Sequence, residues 1–189
     1  FTGKELIKIL SRHPHLRIAH VTSDQFHGRK LGDVFPELDG AADLTFRKHE
    51  HPLPPGAPVF LATPNETSLS LVPRLVQQGH RIVDLSGAFR LHDASVFERF
   101  YKLKHTAMNL MPVVVFGIPE IFRSEISGAT VVANPGCYAT GSILPIYLLG
   151  KHREQVQAVV IDAKSGVSGA GGRTEDAGFT FHSVHENFR

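Results

Sequence analysis

Short apolar segments rich in β-branched residues alternate with segments of helical periodicity along most of this chain, and this alternation constrains its fold more than any other feature. The segments that predict strands are residues 16–22, 42–46, 58–63, 81–85, 130–133 and 156–163. The segments that predict helices are residues 2–13, 66–78, 95–103 and 138–149. Strands joined through helices by short connections form right-handed crossovers, which build a parallel sheet with helices on both faces. The sequence therefore predicts an α/β fold with a doubly wound parallel sheet.

Composition argues against several kinds of partner and site. The chain has 189 residues, of which 20 are Lys or Arg and 18 are Asp or Glu, so its formal charge is +2. It has no basic block of the kind that follows a phosphate backbone, which argues against a nucleic acid partner. No apolar run approaches the roughly 18 residues of a membrane-spanning helix. The single cysteine forms no intrachain disulfide and no cysteine-based zinc site. We therefore expect a soluble globular protein.

A strand followed by a turn near residue 134 predicts a domain boundary, with one domain over residues 1–134 and a second over residues 135–189. The second segment is too short to bury a stable hydrophobic core of its own. The chain also opens directly on a helical pattern without an initiator Met. We therefore expect both domains to be incomplete here, the first at its N-terminus and the second beyond residue 189.

Cys137 is the strongest candidate for chemistry. It follows a predicted strand and the turn Asn134-Pro135-Gly136, at the first turn of a predicted helix. Unpaired amide N–H groups and the helix dipole favour a thiolate at such a position, and the same amides suit an oxyanion on an attacked carbonyl. The alternative is that the cysteine is a small buried apolar residue. The local pattern leaves both interpretations open.

The segment 164–173 is rich in glycine and directly follows a predicted strand. Such turns let backbone N–H groups approach a phosphate, although this one lacks the lysine and helix of a P-loop. The alternative is a flexible loop. Residues 166–170 also resemble a serine-hydrolase elbow, but Ala170 replaces its last glycine and the candidate partners Asp176, His182 and His185 follow too closely. These histidines match no zinc pattern either, so we predict no metal site.

Polar residues at the ends of two predicted strands suggest ligand contacts, because open parallel sheets bind ligands at the carboxyl ends of their strands. Arg90 follows one strand and suits a carboxylate or phosphate, the alternative being an ordinary surface arginine. Thr22 and Ser23 end another strand, with Arg29 and Lys30 nearby. This pattern mildly favours NADP over NAD, although Asp24 leaves the choice open.

Several motifs together resemble those of one enzyme family. Residues 134–140 (NPGCYAT) resemble the active-site cysteine motif of the N-acetyl-gamma-glutamyl-phosphate reductases, in the semialdehyde dehydrogenase superfamily. The other stretches that fit in the family's order are residues 1–3, 84–91, 117–120, 162–172 and 186–189. Two positions depart from the family pattern. Ala88 stands where the family usually has an acidic residue, and Asn65, which we also expect to cap the following helix, stands where histidine is common.

The resemblance implies a Rossmann-like domain without its first strand, followed by the start of an α+β catalytic domain. It implies an NADPH-dependent reductive dephosphorylation of N-acetyl-glutamyl 5-phosphate through a thioester on Cys137, as a step of arginine biosynthesis in the cytoplasm. It also implies a homo-oligomer whose partner is a small-molecule substrate, and no binding to nucleic acid or membranes. The family's catalytic histidine would lie beyond residue 189. Two alternatives stay open: a related reductase of aminoadipyl or aspartyl phosphate, and a dinucleotide-binding fragment without catalysis.

The candidate site residues fall into three groups. The catalytic residue is Cys137. The expected cofactor-binding residues are Thr2, Gly3, Thr22, Ser23, Ala62, Thr63, Ser86, Gly87, Ser168, Gly169 and Gly171. The expected substrate-binding residues are Arg90, Asn134 and Ser165.

Overall fold

A computed structural model describes residues 2–164, apart from the side chain of Asp39. The described chain divides into two compact units, which we call the N-terminal unit (residues 2–54) and the sheet unit (Pro55–Lys164). Both contain parallel strands accompanied by helices, so the predicted α/β class is confirmed. No helix within residues 2–164 is both long and apolar enough to cross a bilayer.

The N-terminal unit is built around a two-stranded parallel sheet. Its elements are α1 (Thr2–Leu10), β1 (Val21–Thr22), α2 (Leu31–Val34), a 3-10 turn (Asp39–Ala41) and β2 (Phe46–Arg47). Val21 pairs with Phe46, and Thr22 pairs with Arg47. The buried core of this unit consists of Val21, Leu31, Leu38, Ala41 and Phe46.

Both strands of this unit are shorter than the predicted segments 16–22 and 42–46. The carbonyl of Ala42 accepts the N–H of Gly32 at 3.0 Å, and the carbonyl of Leu44 accepts the N–H of Leu31 at 2.7 Å. The backbone before β2 therefore bonds to the start of α2 instead of a neighbouring strand. Because a strand extends only where its backbone finds a partner, the ladder is limited to two residue pairs.

The sheet unit contains a four-stranded parallel sheet. Its strands are β3 (Val59–Leu61), β4 (Ile82–Asp84), β5 (Val114–Phe116) and β6 (Val131–Ala133), in the spatial order β3-β4-β6-β5. The predicted strands at 58–63, 81–85 and 130–133 are confirmed, each somewhat shorter than expected. β5 was not predicted, because its apolar run lies between prolines in a segment without clear periodicity.

The helices of the sheet unit are α3 (Asn65–Gln77), α4 (Ala94–Tyr101), α5 (Pro119–Gly128) and α6 (Cys137–Leu148). Two 3-10 segments, Met108–Val113 and Gly150–Gln155, complete it. α5 was not predicted, although Pro119 in its first turn is a favourable helix start, where the missing N–H costs nothing. The expectation that Asn65 caps α3 is wrong. Pro64 occupies the N-cap position, and no side chain caps this helix.

The predicted strand over residues 156–163 is wrong. This segment has no regular structure, and Val159, Val160 and Ile161 are 52%, 93% and 58% exposed. An apolar, β-branched run becomes a strand only when a neighbouring strand supplies its hydrogen bonds, and no strand within residues 2–164 pairs with it. The core of the sheet unit instead forms around residues of the sheet and of the helices and loops that cover it, with Val72, Ile82, Phe89, Phe97 and Val131 almost fully buried.

Candidate active site

The carboxyl ends of the four strands of the sheet unit lie side by side. Leu61 is in register with Asp84, Asp84 with Ala133, and Phe116 with Ala133. Three polar segments leave the sheet at this edge: residues 62–65 after β3, residues 85–90 after β4, and residues 134–137 after β6. The structure therefore brings the predicted residues of these segments to one edge of the sheet, the position at which parallel sheets bind ligands.

Asp84 organises the loop after β4. Its carboxylate is fully buried and accepts hydrogen bonds from the Ser68 hydroxyl (2.9 Å), the Ser86 amide (3.0 Å) and the Ser86 hydroxyl (2.7 Å). The Thr63 and Ser68 hydroxyls are 2.8 Å apart. The hydroxyls of Thr63 and Ser86 therefore both form hydrogen bonds within the sheet unit. These bonds fix the backbone at the ends of β3 and β4.

The next residues of this loop are held just as closely. The Gly87 amide donates to Oδ1 of Asn65 at 2.7 Å, so the Asn65 side chain supports this loop. A Cβ at Gly87 would overlap the ring of Tyr101, so the position accommodates only glycine without rearrangement. Ala88 is fully buried, and its amide donates to the Ser86 hydroxyl at 3.1 Å. The loop is therefore rigidly specified by side chains from three other segments.

His105 supports the same loop, and sequence reasoning missed it. Its ring packs edge-on against Phe89, with centroids 5.4 Å apart, and against Phe97, with centroids 4.9 Å apart. Nδ1 accepts the Ala107 amide at 3.2 Å, and the backbone of Ala88, in the loop itself, is a further hydrogen-bonding neighbour of the ring. Burial lowers the pKa of His105. A histidine among aromatic residues was the available signal, but its partners are set by the tertiary fold.

Cys137 is the first residue of α6, and its thiol is exposed. The N-cap residue is Gly136, and no side chain caps the helix. The first helical hydrogen bond runs from the Thr140 amide to the Gly136 carbonyl, at 3.0 Å. The amides of residues 137–139 therefore have no acceptor inside the helix, as is usual for a first turn. Cys137 stands beside free backbone donors and is not a buried apolar residue.

Arg90 links the loop after β4 to the turn after β6. Its Nε donates to the carbonyl of Asn134 at 2.8 Å, and its Nη2 donates to the carbonyl of Leu85 at 2.9 Å. Its Nη1 lies beside Gly136, at 3.2 Å from where a Cβ would be. No carboxylate within residues 2–164 forms an ion pair with Arg90. Asn134 itself donates from Nδ2 to the Pro135 carbonyl at 3.1 Å.

The N-terminal unit places the candidate cofactor residues Thr22 and Ser23 at the carboxyl end of β1. The Thr22 hydroxyl lies 3.0 Å from Nδ1 of His49, and the Ser23 amide donates to the Arg47 carbonyl at 2.8 Å. Asp24 accepts the His49 amide at 3.2 Å, which directs its carboxylate toward that residue. Thr2 and Gly3 form the start of α1.

Arg47 is the cation next to this strand end, which sequence reasoning missed. It pairs with Thr22 in the sheet, and its Nη1 donates to Nε2 of His51 at 2.6 Å. Burial, Arg47 and His20 lower the pKa of His51, which suits an acceptor ring. The two cations singled out from the sequence have other neighbours. Arg29 lies over the Phe26 ring, and Lys30 pairs with Asp43.

Four predicted site residues lie outside the described residues: Ser165, Ser168, Gly169 and Gly171. The segments considered for a hydrolase or zinc site, residues 166–170 and 176–186, lie outside them as well. Ala62 is exposed directly after β3.

Comparison with known proteins identifies the family. The family model described as "Semialdehyde dehydrogenase, NAD binding domain" matches residues 1–129. The chain belongs to the semialdehyde dehydrogenase family. A second model, "Semialdehyde dehydrogenase, dimerisation domain", matches residues 137–189 of the chain.

Several relatives of this chain are named N-acetyl-gamma-glutamyl-phosphate reductase. The N-acetyl-gamma-glutamyl-phosphate reductase of Leptospira interrogans is 49% identical over 189 residues, which is 100% of this chain and 56% of the relative. The reductases of Aquifex aeolicus and Bordetella pertussis are 38% and 39% identical, again over 100% of this chain and over 55% and 54% of their own lengths. The chain thus spans about half the length of these relatives, and the family resemblance is confirmed.

The donors at the strand ends fit a dinucleotide. Backbone amides, hydroxyls and arginine side chains at strand ends are the groups that bind phosphates and ribose in parallel α/β proteins. Arg47 beside Thr22 and Ser23 suits the additional phosphate that distinguishes NADP from NAD.

Proposed function

We propose that this chain contains the cofactor-binding domain and the nucleophile of an NADPH-dependent reductase that converts N-acetyl-glutamyl 5-phosphate into N-acetyl-glutamate 5-semialdehyde. The observation that carries the proposal is the exposed Cys137 at the start of α6, at the carboxyl edge of the parallel sheet. The relatives named N-acetyl-gamma-glutamyl-phosphate reductase support this substrate. The location and assembly that we propose with it are the cytoplasm and a homo-oligomer.

In this proposal Cys137 is the nucleophile. Its thiolate attacks the carbonyl carbon of the acyl phosphate, a C–S bond forms, and the C–O bond to the phosphate breaks, so phosphate leaves and a thioester remains. The free amides of residues 137–139 are the donors available to the oxyanion of the tetrahedral intermediate. NADPH, when bound, supplies the hydride that reduces the acyl group. Release of the semialdehyde regenerates the thiolate.

Several residues are proposed to bind the ligands. For the cofactor they are Thr2, Gly3, Thr22, Ser23, Ala62, Thr63, Ser86, Gly87, Ser168, Gly169 and Gly171, together with Arg47 for the 2′-phosphate. For the substrate they are Arg90, Asn134 and Ser165. The donors of Arg90 that the backbone does not use are the ones proposed to meet the anionic substrate.

The proposal is tested with Cys137→Ser in the full-length protein. Cys137 is the single cysteine of these 189 residues, so the variant removes the one thiol of this part of the protein. We expect the phosphate-dependent oxidation of N-acetyl-glutamate 5-semialdehyde by NADP to disappear, while binding of NADPH, followed by its fluorescence, persists. Turnover by the variant at a rate near that of the wild type would disprove the role of Cys137.

The same assay addresses the length of the acyl chain. One methylene separates glutamyl from aminoadipyl substrates, and an apolar pocket distinguishes them by about 1–3 kcal/mol. We therefore expect a preference for the glutamyl over the aminoadipyl and aspartyl semialdehydes when the ratio kcat/KM is compared. A higher ratio for either alternative would reassign the substrate.

A further inference from the structure

The guanidinium of Arg90 joins two strand ends that are far apart in sequence. Leu85, whose carbonyl accepts from Nη2, follows β4, and Asn134, whose carbonyl accepts from Nε, follows β6. Arg90 is partly buried, and both hydrogen bonds are shorter than 3 Å. A planar guanidinium that donates in two fixed directions defines a geometry that a flexible ammonium does not reproduce.

The backbone of Asn134 is held at two points. Its N–H donates to the Asp84 carbonyl at 2.8 Å, and its C=O accepts from Arg90. Pro135, which follows, has a φ angle fixed by its ring. Gly136 follows; its carbonyl accepts the Thr140 amide and hydroxyl, both at 3.0 Å, and Nη1 of Arg90 lies against it.

We propose that Arg90 is a positioning residue that fixes the turn before Cys137 and so places the thiol at the first turn of α6. The effect on catalysis rests on the proposed function, whereas the effect on the turn does not. This role uses Nε and Nη2 and is separate from the contact with the substrate, which is proposed for the donors of Arg90 that the backbone does not use. It also differs from a purely electrostatic role, which any cation at this position would fill.

Arg90→Lys tests the proposal, because it keeps the positive charge and loses the two-directional donation. Arg81→Lys is the matched control. Arg81 also donates to backbone carbonyls of a distant segment, with Nε 3.2 Å from the Ala129 carbonyl, but it binds the end of α5 and not the turn. Two measurements apply to each variant: deuterium uptake of the peptide covering residues 131–140, and the rate at which iodoacetamide alkylates Cys137 at pH 7.

We expect Arg90→Lys to increase the rate of exchange in this peptide at least fivefold. We expect alkylation to slow about fivefold, because a loosened turn no longer holds the thiol in its exposed position at the first turn of α6. Arg81→Lys should change neither result. If Arg90→Lys exchanges deuterium and is alkylated at the rates of the wild type, the proposal is overturned. If alkylation is then slow only in Arg90→Ala, the effect comes from the positive charge.

Gly136→Ala provides a second, independent variant. The φ angle of Gly136 is −74°, which alanine adopts freely, so the added methyl acts through its contact with Nη1 of Arg90. We expect Gly136→Ala to accelerate exchange in the wild-type background and to add little in the Arg90→Ala background. Equal effects in both backgrounds would overturn the proposed contact.

Kinetics in the full-length protein separate this inference from the proposed function. The two roles proposed for Arg90 act on different parameters: loss of the positioning role lowers kcat, and loss of the contact with the substrate raises KM. Altered exchange and alkylation in Arg90→Lys, together with a wild type that lacks phosphate-dependent activity, would support the positioning role and refute the proposed reaction. A raised KM with unchanged exchange would refute the positioning role alone.

Discussion

Replacing Asp84 by asparagine removes one acceptor from the most buried polar group of the sheet edge. Oδ1 of Asp84 accepts from the Ser68 hydroxyl and the Ser86 amide, and an asparagine oxygen retains both bonds. Oδ2 accepts from the Ser86 hydroxyl at 2.7 Å, and the substitution places an NH₂ group there. Two donors then face each other at a site from which water is excluded.

The cost of this change follows from the bonds of Ser86. Its hydroxyl oxygen already accepts the Ala88 amide at 3.1 Å. The oxygen has a second lone pair and accepts from the new amide if the hydroxyl rotates, but its own hydrogen then lacks a partner. An unsatisfied buried donor costs about 1–3 kcal/mol, and the smaller cost of burying a neutral group offsets part of this. We expect Asp84→Asn to lower the free energy of unfolding by about 2 kcal/mol.

Asp93→Asn is the matched control for this prediction. Asp93 also accepts three hydrogen bonds, from the Ser95 amide, the Ser95 hydroxyl and the Val96 amide, but all three end on Oδ1. Asparagine therefore retains them, and it is as good an N-cap as aspartate. Urea unfolding at pH 7 should show a clear loss for Asp84→Asn and almost none for Asp93→Asn. Equal midpoints for Asp84→Asn and the wild type would refute the account of the buried network.

Two further predictions follow from charge. Arg47→Ala should weaken binding of 2′,5′-ADP about tenfold, because it removes one charge-assisted hydrogen bond to the 2′-phosphate. Binding of 5′-AMP, measured in the same calorimetry, should not change, and an equal loss for both nucleotides would reject the 2′-phosphate role. Burial lowers the pKa of His105 in the folded state below the ordinary value of 6.5. As the pH falls below 6.5, the unfolded state therefore binds more protons than the folded state, and the free energy of unfolding decreases. His105→Asn keeps an acceptor for the Ala107 amide without titrating, so its unfolding free energy should fall less between pH 7 and 5.5; an unchanged pH dependence would contradict this.

The sequence was most informative where an element is defined by its own residues. The strands at 59–61, 82–84 and 131–133 and the helices Ala94–Tyr101 and Cys137–Leu148 lie where apolar runs and helical spacing predicted them. The predicted strand at 156–163 failed because periodicity does not reveal whether a partner strand exists. β5 and α5 were missed because prolines and aromatic residues interrupt their patterns.

The same distinction separates the proposed nucleophile from the residues that support its surroundings. Cys137 was identifiable because its turn and helix are adjacent in sequence, whereas Arg90 reaches a carbonyl 44 residues away and Ser68 reaches a carboxylate 16 residues away. A local sequence pattern does not show which distant residues pair. The contacts of Arg90, Asp84 and His105 are therefore known only from the structure.

Asn65 shows how a departure from a family pattern is interpreted once its partner is known. In the sequence, Asn65 stands where histidine is common in the family. In the structure its Oδ1 accepts the Gly87 amide at 2.7 Å, so the side chain acts as an acceptor that fixes the loop after β4. A neutral imidazole also offers an acceptor nitrogen, so both residue types supply the atom that the Gly87 amide requires. The substitution therefore preserves the support of the loop, and differences in substrate should be sought among side chains that, like that of Cys137, face solvent at the sheet edge.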